Sequence, residues 1–582
     1  MKRWTAMLAG AAVTISAPAS AQEAVGDWQG TLEAGGQKLR LVMHVQRGTD
    51  GGLTGTLDSV DQGAFGIPLG EVVLEGNQLT ATVPAVSGTY IAEWDEATQG
   101  WRGSWSQGGA SLPLALAPSG PPPEEPLAPE PLPANWEIPS NEEIEAAIAA
   151  RIAPREGQGL VVGVIEPDGR RIVAGGPEGG EPFGGDTVFE IGSISKVFTA
   201  LLLADMASKG EVSLDDPAEK FLPEGATIPE RGGKKITLAH LSTHTSGLPR
   251  LADNMPFADP EDPYADYTEA MMLAFLAQYE LTRDIGEQWE YSNLGVGLLG
   301  YLLGRAAGSD YETLLRERIT GPLGMTDTSV ALSPDQQTRF APAFDPFMRP
   351  AKPWNLPTLV GAGGIRSTAN DMLKFAAAAL DPDSPIGAAM KMTLSVREET
   401  GSERAEQALG WQLAHPEPGR EFVMHGGGTG GFRTHLALEP SSGRGVVALA
   451  NSAVEPSAAD LAMHVLAGSP VAPTPPVSPA PPGPVARTEV TLSVAELDRV
   501  IGRYEFAPGV VFSVTREGSQ LLAQREGSAV GPILPIFAEA PLRFFWRAVD
   551  GQVVFIADAA GTVTGAEATF DGQKLTGKKL EP

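Results

Sequence analysis

The chain contains no cysteine in 582 residues. This absence excludes disulfide bonds, thiolate metal sites, iron–sulfur clusters and a thiol nucleophile. Positive charge is also scarce, because 42 lysines and arginines stand against 72 aspartates and glutamates, for a formal net charge of -30. Proteins that bind nucleic acids or anionic membranes need clustered positive charge. The composition therefore predicts no nucleic-acid partner.

The N-terminus holds an apolar run that is too short to span a membrane. Lys2 and Arg3 precede an apolar stretch that ends near Ile15, and Ala19-Ser20-Ala21 follows it. A basic start, a short hydrophobic stretch and an A-x-A end are typical of a secretory signal peptide. The alternative, a membrane anchor, needs about 20 apolar residues. We expect cleavage near Ala21 and a periplasmic or secreted protein without a membrane span.

Two proline-rich stretches divide the chain. Residues 118–133 contain eight prolines in sixteen positions, and residues 470–484 contain eight in fifteen. Such runs favour extended polyproline conformations and act as semi-rigid spacers. The expected organisation is a signal peptide at 1–21, a β domain at 22–117, a linker at 118–139, a central domain at 140–468, a linker at 469–487 and a second β domain at 488–582.

The two outer modules have the patterns of β-strands. Apolar and mostly polar side chains alternate over residues 38–46, which is the period of two expected in a sheet. Residues 510–514 and 553–556 are short β-type apolar runs, and pairs such as Asp550-Gly551 supply turns. We expect a small antiparallel barrel or sandwich in each module, with the aromatic side chains in the core.

The central module mixes helices and strands. Ser140-Asn141-Glu142-Glu143 is a capping box that opens a helix through Ile152. An apolar β run over Leu160 to Ile165 lies near its start, and strands over Thr434 to Leu438 and Gly445 to Leu449 lie near its end. This order predicts one sheet closed by distant segments, together with a mainly helical insertion.

The first chemical motif is Ser193-Ile194-Ser195-Lys196, at the start of a helix predicted over residues 193–209. Residues three apart on a helix share a face, so the Ser193 hydroxyl and the Lys196 amine can meet. Serine needs a base before it attacks. Lysine can be that base if desolvation and the positive helix N-terminus lower its pKa. The alternative is a capping serine beside a surface lysine.

The second motif is Tyr291-Ser292-Asn293, ahead of a helix predicted over residues 294–307. In the functional interpretation, neighbouring cations hold Tyr291 so that it relays a proton. In the structural alternative, Asn293 caps the helix and Tyr291 packs with Trp289.

The third motif is a glycine-rich string that begins at His425 and leads through Gly427 and Gly428 into a strand near Arg433. Glycine allows the backbone to approach a ligand closely, and a backbone N–H there can stabilise an oxyanion. The alternative is a glycine-rich hairpin with a chance histidine. A phosphate loop is disfavoured, because no Lys-Ser/Thr pair follows the glycines and no helix begins there.

The order Ser-x-x-Lys, Tyr-x-Asn, His-Gly-Gly is more specific than any single motif. It resembles the serine β-lactamase and penicillin-binding-protein superfamily, in particular its class C-like branch of β-lactamases, family VIII esterases and S12 peptidases. The supporting strings are residues 236–248 and 361–368. The resemblance implies a multidomain protein with a central α/β domain, in which a mainly antiparallel sheet is flanked by helices and a helical subdomain. Two small all-β domains would lie on either side of it.

The resemblance also implies roles for the motif residues. Ser193 would attack a carbonyl and form an acyl-enzyme, with Lys196 as its base. Tyr291 would be a partner base and the acid for the leaving group. Asn293 would contact the substrate or Lys196. The N–H groups of Ser193 and Gly428 would form the oxyanion hole, with Gly427 beside them.

His425 departs from the pattern of the β-lactamases in this branch, which carry the lysine of Lys-Thr-Gly at its position. Lysine is cationic at pH 7, whereas histidine is mostly neutral. We therefore expect a small-molecule ester, amide or peptide substrate, with an ester or small amide ahead of a β-lactam or a D-amino-acid peptide. A non-enzymatic alternative is an acyl-binding sensor or scaffold. The sequence leaves the oligomeric state open.

Neither a cofactor nor a metal is expected. His240 and His244 have a spacing that can ligate a metal on a helix, but the helical segment is short and no acidic residue lies between them. The acidic segment from Leu251 to Asp266 is expected to border the site. In the outer modules, residues 26–30 resemble an accessory β domain of secreted hydrolases, and residues 502–505 resemble a lipocalin-like domain.

Overall fold

The fold is that of a computed structural model. The described residues are 24–34, 37–47, 53–59, 64–70, 72–83, 88–96, 98, 100–107, 110–118, 132–133, 135–177, 183–256, 259–402, 404–417, 419–456, 458–477, 487–507, 510–526, 534–547, 551–570 and 573–580. The predicted signal peptide at 1–21 lies outside them, as do most of the first proline-rich stretch and residues 478–486 of the second. None of the helices in the described ranges has the length and apolarity to cross a bilayer.

The chain divides into two compact units, Met1–Pro129 and Glu130–Pro582. The first unit is a nine-stranded antiparallel sheet of β1 Gly26–Ala34, β2 Gln37–Arg47, β3 Leu53–Ser59, β4 Ala64–Pro68, β5 Val72–Glu75, β6 Gln78–Val83, β7 Gly88–Asp95, β8 Gly100–Gln107 and β9 Ala110–Pro118. The strand order is β2-β1-β9-β8-β7-β6-β5-β3-β4, and β3 also pairs with β2. Eight strands thus form a closed cycle of neighbours.

Aromatic side chains fill the core of this first unit. Trp28, Trp94 and Trp101 contact one another edge to face, with ring centroids 5.2 to 5.9 Å apart. The Tyr90 hydroxyl is buried and donates to backbone carbonyls. The expected assignment of these aromatics to a β core is confirmed for the described residues.

In the second unit, one sheet organises the central domain. Its strands are β10 Leu160–Glu166, β11 Gly169–Gly175, β16 Arg397–Glu399, β17 Ala405–Ala408, β18 Gln412–Glu417, β19 Arg420–Gly428, β20 Arg433–Glu439 and β21 Arg444–Ala450. The short pairs β12 Val188–Glu190 with β15 Arg366–Thr368 and β13 Glu230–Arg231 with β14 Lys234–Lys235 lie outside it. The order is β11-β10-β21-β20-β19-β18-β17-β16, so β10 pairs with β21 and the predicted closure by distant segments is confirmed.

The helices of this domain are α1 Asn141–Ile152, α2 Ser195–Ser208, α3 Leu238–Ser242, α4 Glu269–Gln278, α5 Asn293–Ala307, α6 Tyr311–Leu315, α7 Pro334–Thr338, α8 Val360–Gly363, α9 Ala369–Leu380, α10 Gly387–Ser395 and α11 Ala459–Ala467. The capping box at Ser140 and Glu143 is present, and α1 ends at Ile152 as predicted. Most of these helices lie in the insertion between β11 and β16.

Both faces of the sheet are covered, which explains the nearly continuous apolar sequence of β10. Successive side chains of a strand point to opposite faces. Val161 and Ile165 join the large core with α2, α5 and α9. Leu160, Val162 and Val164 join a smaller core with α1 and α11. The catalytic motifs therefore lie on the side of the large core.

The C-terminal module is a closed antiparallel barrel. A short helix, α12 Val494–Asp498, precedes β22 Gly502–Ala507, β23 Val510–Glu517, β24 Gln520–Glu526, β25 Leu534–Ala540, β26 Arg543–Trp546, β27 Gly551–Ala557, β28 Val563–Phe570 and β29 Gln573–Lys579. Tyr504 of the quoted motif is fully buried in its core, and its hydroxyl donates to the Val500 carbonyl at 2.7 Å. Eight strands give an interior that side chains just fill.

A buried ion pair joins α1 to α11. The Arg151 guanidinium is 2% exposed and bonds both carboxylate oxygens of Asp460, at 2.8 and 2.7 Å. The same guanidinium donates to Thr474 and Ala472, so the start of the second proline-rich stretch is attached to the central domain. Burial opposes ionisation of Asp460, yet the bonds from Arg151 keep its pKa below the ordinary value.

We predict that Asp460→Ala lowers the free energy of unfolding by roughly 3–5 kcal/mol, because it removes the carboxylate that two nitrogens of the buried Arg151 guanidinium bond. Urea titration of the full chain, followed by tryptophan fluorescence, measures the change. Lys220→Ala, which removes one partner of the exposed pair with Asp216, is the control and should cost at most about 1 kcal/mol. In the parent chain the stabilisation should be lost as the pH falls through the lowered pKa of Asp460. Equal effects of the two substitutions would contradict the prediction.

Candidate active site

The nucleophile candidate lies on a tight turn where the sheet meets α2. Ser193 is in a 3₁₀ turn over Gly192–Ile194 that leads directly into α2, and its side chain is partly exposed. Gly192 has φ +52°, and a Cβ there would lie 2.7 Å from the Gly428 nitrogen. Only glycine allows this turn to approach the end of β19 so closely.

Lys196 is fully buried one helical turn after the serine. Its Nζ lies 3.0 Å from Ser193 Oγ, 2.8 Å from Asn293 Oδ1 and 2.7 Å from the Ala362 carbonyl oxygen. The alternative of a surface lysine is therefore wrong, and the side chains predicted to share a helix face do meet.

Burial lowers the pKa of Lys196 well below its usual value, and the positive charge of Arg250 lowers it further. A neutral amine has two N–H donors and one lone pair. The Ala362 carbonyl and the Asn293 amide oxygen can only accept, so they take the two donors. The lone pair is then left for the Ser193 hydroxyl, which makes Lys196 suited to accept the serine proton.

Tyr291 lies between the same groups. Its ring centroid is 4.8 Å from Lys196 Nζ and 5.1 Å from the Arg250 guanidinium carbon. Burial raises the pKa of Tyr291 to about 12, although a hydrogen bond with Ser193 and the charge of Arg250 oppose the shift. The basic side chains expected beside Tyr291 are present, but burial outweighs their effect on its pKa. Burial therefore favours the neutral phenol at Tyr291 and the neutral amine at Lys196.

Asn293 begins α5 and connects the site to a neighbouring loop. Its Oδ1 accepts from Lys196, and its Nδ2 donates to the Tyr264 hydroxyl at 3.1 Å. The alternative of Asn293 as the helix cap is wrong, because the N-cap is Ser292, whose side chain accepts from the Gly295 N–H. Tyr264 belongs to the acidic segment that the sequence placed beside the site.

A second anchor holds that segment in place. The Asp262 carboxylate accepts from the backbone N–H and the side-chain amide of Asn355, at 2.8 and 2.7 Å. Trp354 donates to the Glu261 carbonyl, and its ring lies 5.3 Å from the Tyr264 ring. The two loops form one wall next to Asn293.

The glycine-rich motif ends a strand instead of forming a loop. Residues 425–428 are the last four of β19, and β20 follows as the other arm of a hairpin. A Cβ at Gly427 would lie 2.0 Å from the Ile191 carbonyl oxygen and 2.2 Å from Thr434 Oγ1. Thr434 Oγ1 donates to that same carbonyl at 2.9 Å. The hairpin thus packs directly against the turn that carries Ser193.

His425 is 2% exposed, and its ring centroid lies 6.3 Å from that of Tyr291. Its Nδ1 is 2.6 Å from the Gly426 carbonyl oxygen. A carbonyl can only accept, so Nδ1 carries the hydrogen and Nε2 is the unprotonated nitrogen. Burial lowers the pKa of His425 to about 3, and the charge of Lys196 contributes. The position that holds a lysine in related β-lactamases is thus uncharged here.

The two histidines considered as metal ligands accept hydrogen bonds from different backbone N–H groups. His240 Nδ1 accepts from the Thr237 N–H in the cap of α3. His244 has φ +62°, and its Nδ1 accepts from the Ser292 N–H at 3.1 Å. The centroid of its ring lies 4.5 Å from that of Tyr291, with the two rings tilted by 33°. Trp289 contacts the same histidine edge to face, with centroids 6.3 Å apart.

Three contributors to the site were not singled out in the sequence. The Ala362 carbonyl lies within the quoted string 361–368, and Arg250 follows the quoted string 236–248 by two residues. Tyr264 lies in the acidic segment. Their positions were near the predicted signals, but only the tertiary contacts identify the atoms that reach Lys196, Tyr291 and Asn293.

Comparison with known proteins identifies the family of the central domain. Residues 144–468 match the family model described as Beta-lactamase. The D-alanyl-D-alanine-carboxypeptidase/endopeptidase AmpH of Escherichia coli K12 is 34% identical over 275 residues, which cover 45% of this chain and 70% of the relative. Penicillin-binding protein 4* of Bacillus subtilis is 27% identical over 401 residues, which cover 64% and 84%.

A third relative, named Beta-lactamase, is from Pseudomonas fluorescens. It is 28% identical over 310 residues, which cover 47% of this chain and 81% of the relative. The family model spans more than half of the chain and includes all three motifs. The chain therefore belongs to the beta-lactamase family and is an enzyme of the serine β-lactamase and penicillin-binding-protein superfamily.

Proposed function

We propose that this enzyme hydrolyses carboxylic esters or small amides through an acyl-enzyme on Ser193. The observation that carries the proposal is the contact between Lys196 Nζ and Ser193 Oγ at 3.0 Å, with both other hydrogen-bonding positions of the amine filled by obligatory acceptors. This arrangement supplies a base within reach of the nucleophile's proton.

The acylation step follows from the opposite pKa shifts of two groups. Lys196 takes the Ser193 proton while Oγ attacks the carbonyl carbon, and the oxyanion that forms is held by the N–H groups of Ser193 and Gly428. When the tetrahedral intermediate collapses, the bond to the leaving group breaks. Tyr291 gives its proton to the leaving group and receives one from Lys196. Attack by water then releases the acid and restores Ser193.

Substrate preference is proposed from the motif that departs from the family pattern. His425 is neutral, so it gives the site no cation of its own, which supports neutral esters and small amides. The names of the relatives support a second candidate, a D-alanyl peptide or a β-lactam. The non-enzymatic alternative is a scaffold that is acylated but not turned over. A single burst of product would indicate the scaffold, whereas steady turnover would indicate the enzyme.

The location and the domain organisation are part of the proposal. We propose export with cleavage near Ala21, and a hydrolase domain over residues 140–468 between two β domains, at 22–117 and 488–582. The basic, apolar and small-residue sequence of the N-terminus supports export. The separate cores of the three regions support the three domains.

We predict that Ser193→Ala abolishes labelling by a fluorophosphonate probe and lowers ester hydrolysis by at least about a thousandfold. Mass spectrometry of the labelled peptide and assays on a p-nitrophenyl ester, a D-alanyl anilide and nitrocefin measure both effects and rank the substrates. Ser208→Ala, at the exposed end of the same helix, is the control. Undiminished ester cleavage by the Ser193 variant would refute the nucleophile, and faster turnover of nitrocefin than of the ester would reverse the substrate ranking.

Lys196→Arg should reduce the acylation rate by about a hundredfold to ten-thousandfold, because a guanidinium stays protonated and cannot act as the base. Stopped-flow acylation by p-nitrophenyl acetate provides the measurement. In the parent enzyme the rate should rise with pH as Lys196 loses its proton, and level off well below pH 10.5. Lys209→Arg, at the end of α2, is the matched control. A fully active Lys196→Arg enzyme would exclude this role.

Two adjacent glycines test the packing of β19 against the turn. Gly427→Ala should lower kcat by at least about a hundredfold, because its Cβ would lie 2.0 Å from the Ile191 carbonyl oxygen and would push the strand away from the turn. Gly426→Ala, whose Cβ would have no neighbour closer than 3.6 Å, should retain most activity. Steady-state kinetics with circular dichroism as a folding check compare the two, and similar losses would argue against the predicted geometry.

A further inference from the structure

His244 holds a backbone conformation that few residues adopt. Its φ is +62°, in the left-handed region that favours glycine, and the residue is only 1% exposed. A non-glycine residue stays in this region when the surrounding contacts fix it there, and such residues occur often at functional sites. The contacts of His244 lead to Tyr291.

The residues on both sides of Tyr291 are bonded to this one histidine. The Glu290 N–H donates to the His244 carbonyl oxygen at 2.9 Å. The Ser292 N–H donates to His244 Nδ1 at 3.1 Å. The imidazole ring also packs on the Tyr291 ring, with centroids 4.5 Å apart. His244 therefore fixes the backbone before and after the tyrosine and supports its ring.

The bond from the Ser292 N–H requires a neutral imidazole. An imidazolium carries a hydrogen on both nitrogens and cannot accept a third. Burial lowers the pKa of His244 well below its usual value, and neighbouring basic side chains act in the same direction. Nδ1 therefore remains an acceptor at neutral pH, and Nε2 carries the hydrogen.

We propose that His244 is the positioning residue for Tyr291 and thereby controls protonation of the leaving group. This inference rests on the proposed acyl-enzyme function, in which the Tyr291 proton passes to the leaving oxygen as its bond to the acyl carbon breaks. Such a transfer needs the donor within hydrogen-bond distance of that oxygen. His244 acts on the transfer through the backbone and the ring of Tyr291.

The test uses two esters that form the same acyl-enzyme, phenyl acetate and 4-nitrophenyl acetate. 4-Nitrophenolate departs readily as an anion, whereas the more basic phenolate gains more from an acid. The readout is the ratio of kcat/KM for phenyl acetate to that for 4-nitrophenyl acetate. A change that only loosens the fold lowers both rates, whereas a displaced Tyr291 lowers the rate for phenyl acetate more and so lowers the ratio.

His244→Gly should lower this ratio by about tenfold. Glycine accepts the left-handed backbone, but it removes both the acceptor and the ring. His244→Asn should restore most of the ratio, because asparagine also tolerates this conformation and its Oδ1 can accept from the Ser292 N–H. Labelling of Ser193 by the fluorophosphonate probe checks that each variant retains a folded site. His244→Ala replaces the glycine variant if the latter does not fold.

Two further variants connect the effect to the tyrosine. Tyr291→Phe should lower the same ratio by about tenfold to a hundredfold, and adding His244→Gly to it should lower the ratio no further. His240→Asn is the matched control. Its Nδ1 also accepts from a backbone N–H, but in the cap of α3, so the ratio should be unchanged.

The outcomes separate this inference from the proposed function. An unchanged ratio in a His244→Gly enzyme that the probe still labels would overturn the inference. So would a ratio in His244→Asn as low as that in His244→Gly, or a further loss when His244→Gly is added to Tyr291→Phe. If Tyr291→Phe leaves the ratio unchanged, or the parent enzyme cleaves neither ester, the proposed function fails and the inference fails with it.

Discussion

An amine taken out of water without a carboxylate beside it is favoured in its neutral form. Lys196 meets this condition, because its three contacts are a hydroxyl, a side-chain amide oxygen and a backbone carbonyl oxygen. Each contact comes from a different part of the domain, the first from the turn before α2, the second from α5 and the third from α8. All three parts must therefore fold correctly before Lys196 can make these three contacts.

The need to bring these separate parts close together explains the small residues around the site. The turn that holds Ser193 can approach β19 only because glycines stand at both surfaces, at Gly192 and Gly427. α8 is held against α2 through Thr199, whose hydroxyl donates to the Gly361 carbonyl at 2.8 Å. These close backbone contacts bring the turn that carries Ser193 against β19, and α8 against α2. Packing of main chain against main chain thus sets the positions of Ser193 and of the Ala362 carbonyl.

Local signals in the sequence predicted local structure well. The capping box at Ser140 and the apolar run of β10 gave correct elements because both patterns act within a few residues. Contacts between segments that are distant in the sequence were harder to predict. The sequence placed His425 at the start of a glycine-rich string that leads into a strand near Arg433, but it did not show that residues 425–428 themselves belong to β19 and pair with β20. The Ser-x-x-Lys spacing predicted the contact between Ser193 and Lys196, but nothing in it indicated the Ala362 carbonyl.

The charge states of the site residues were the hardest property to predict from the sequence. Basic side chains were expected beside Tyr291, and Lys196 and Arg250 are present, but the sequence could not show that burial outweighs their effect on the pKa of Tyr291. Arg250 gave no signal of its own, because an arginine on a loop is ordinary and its closeness to Tyr291 is a result of the tertiary fold. The neutral state of His425 depends mainly on its burial, against which the hydrogen bond to the Gly426 carbonyl acts, and the sequence does not show how deeply the side chain is buried.

The pairing of β10 with β21 also constrains the order in which the protein can acquire its structure. Leu160 and Ala450 are partners on neighbouring strands of the sheet, so the ribosome makes almost the entire hydrolase region before the second strand exists. Until then β10 can pair only with β11, and its apolar face has no complete core to join. Pairing over such a sequence separation slows folding.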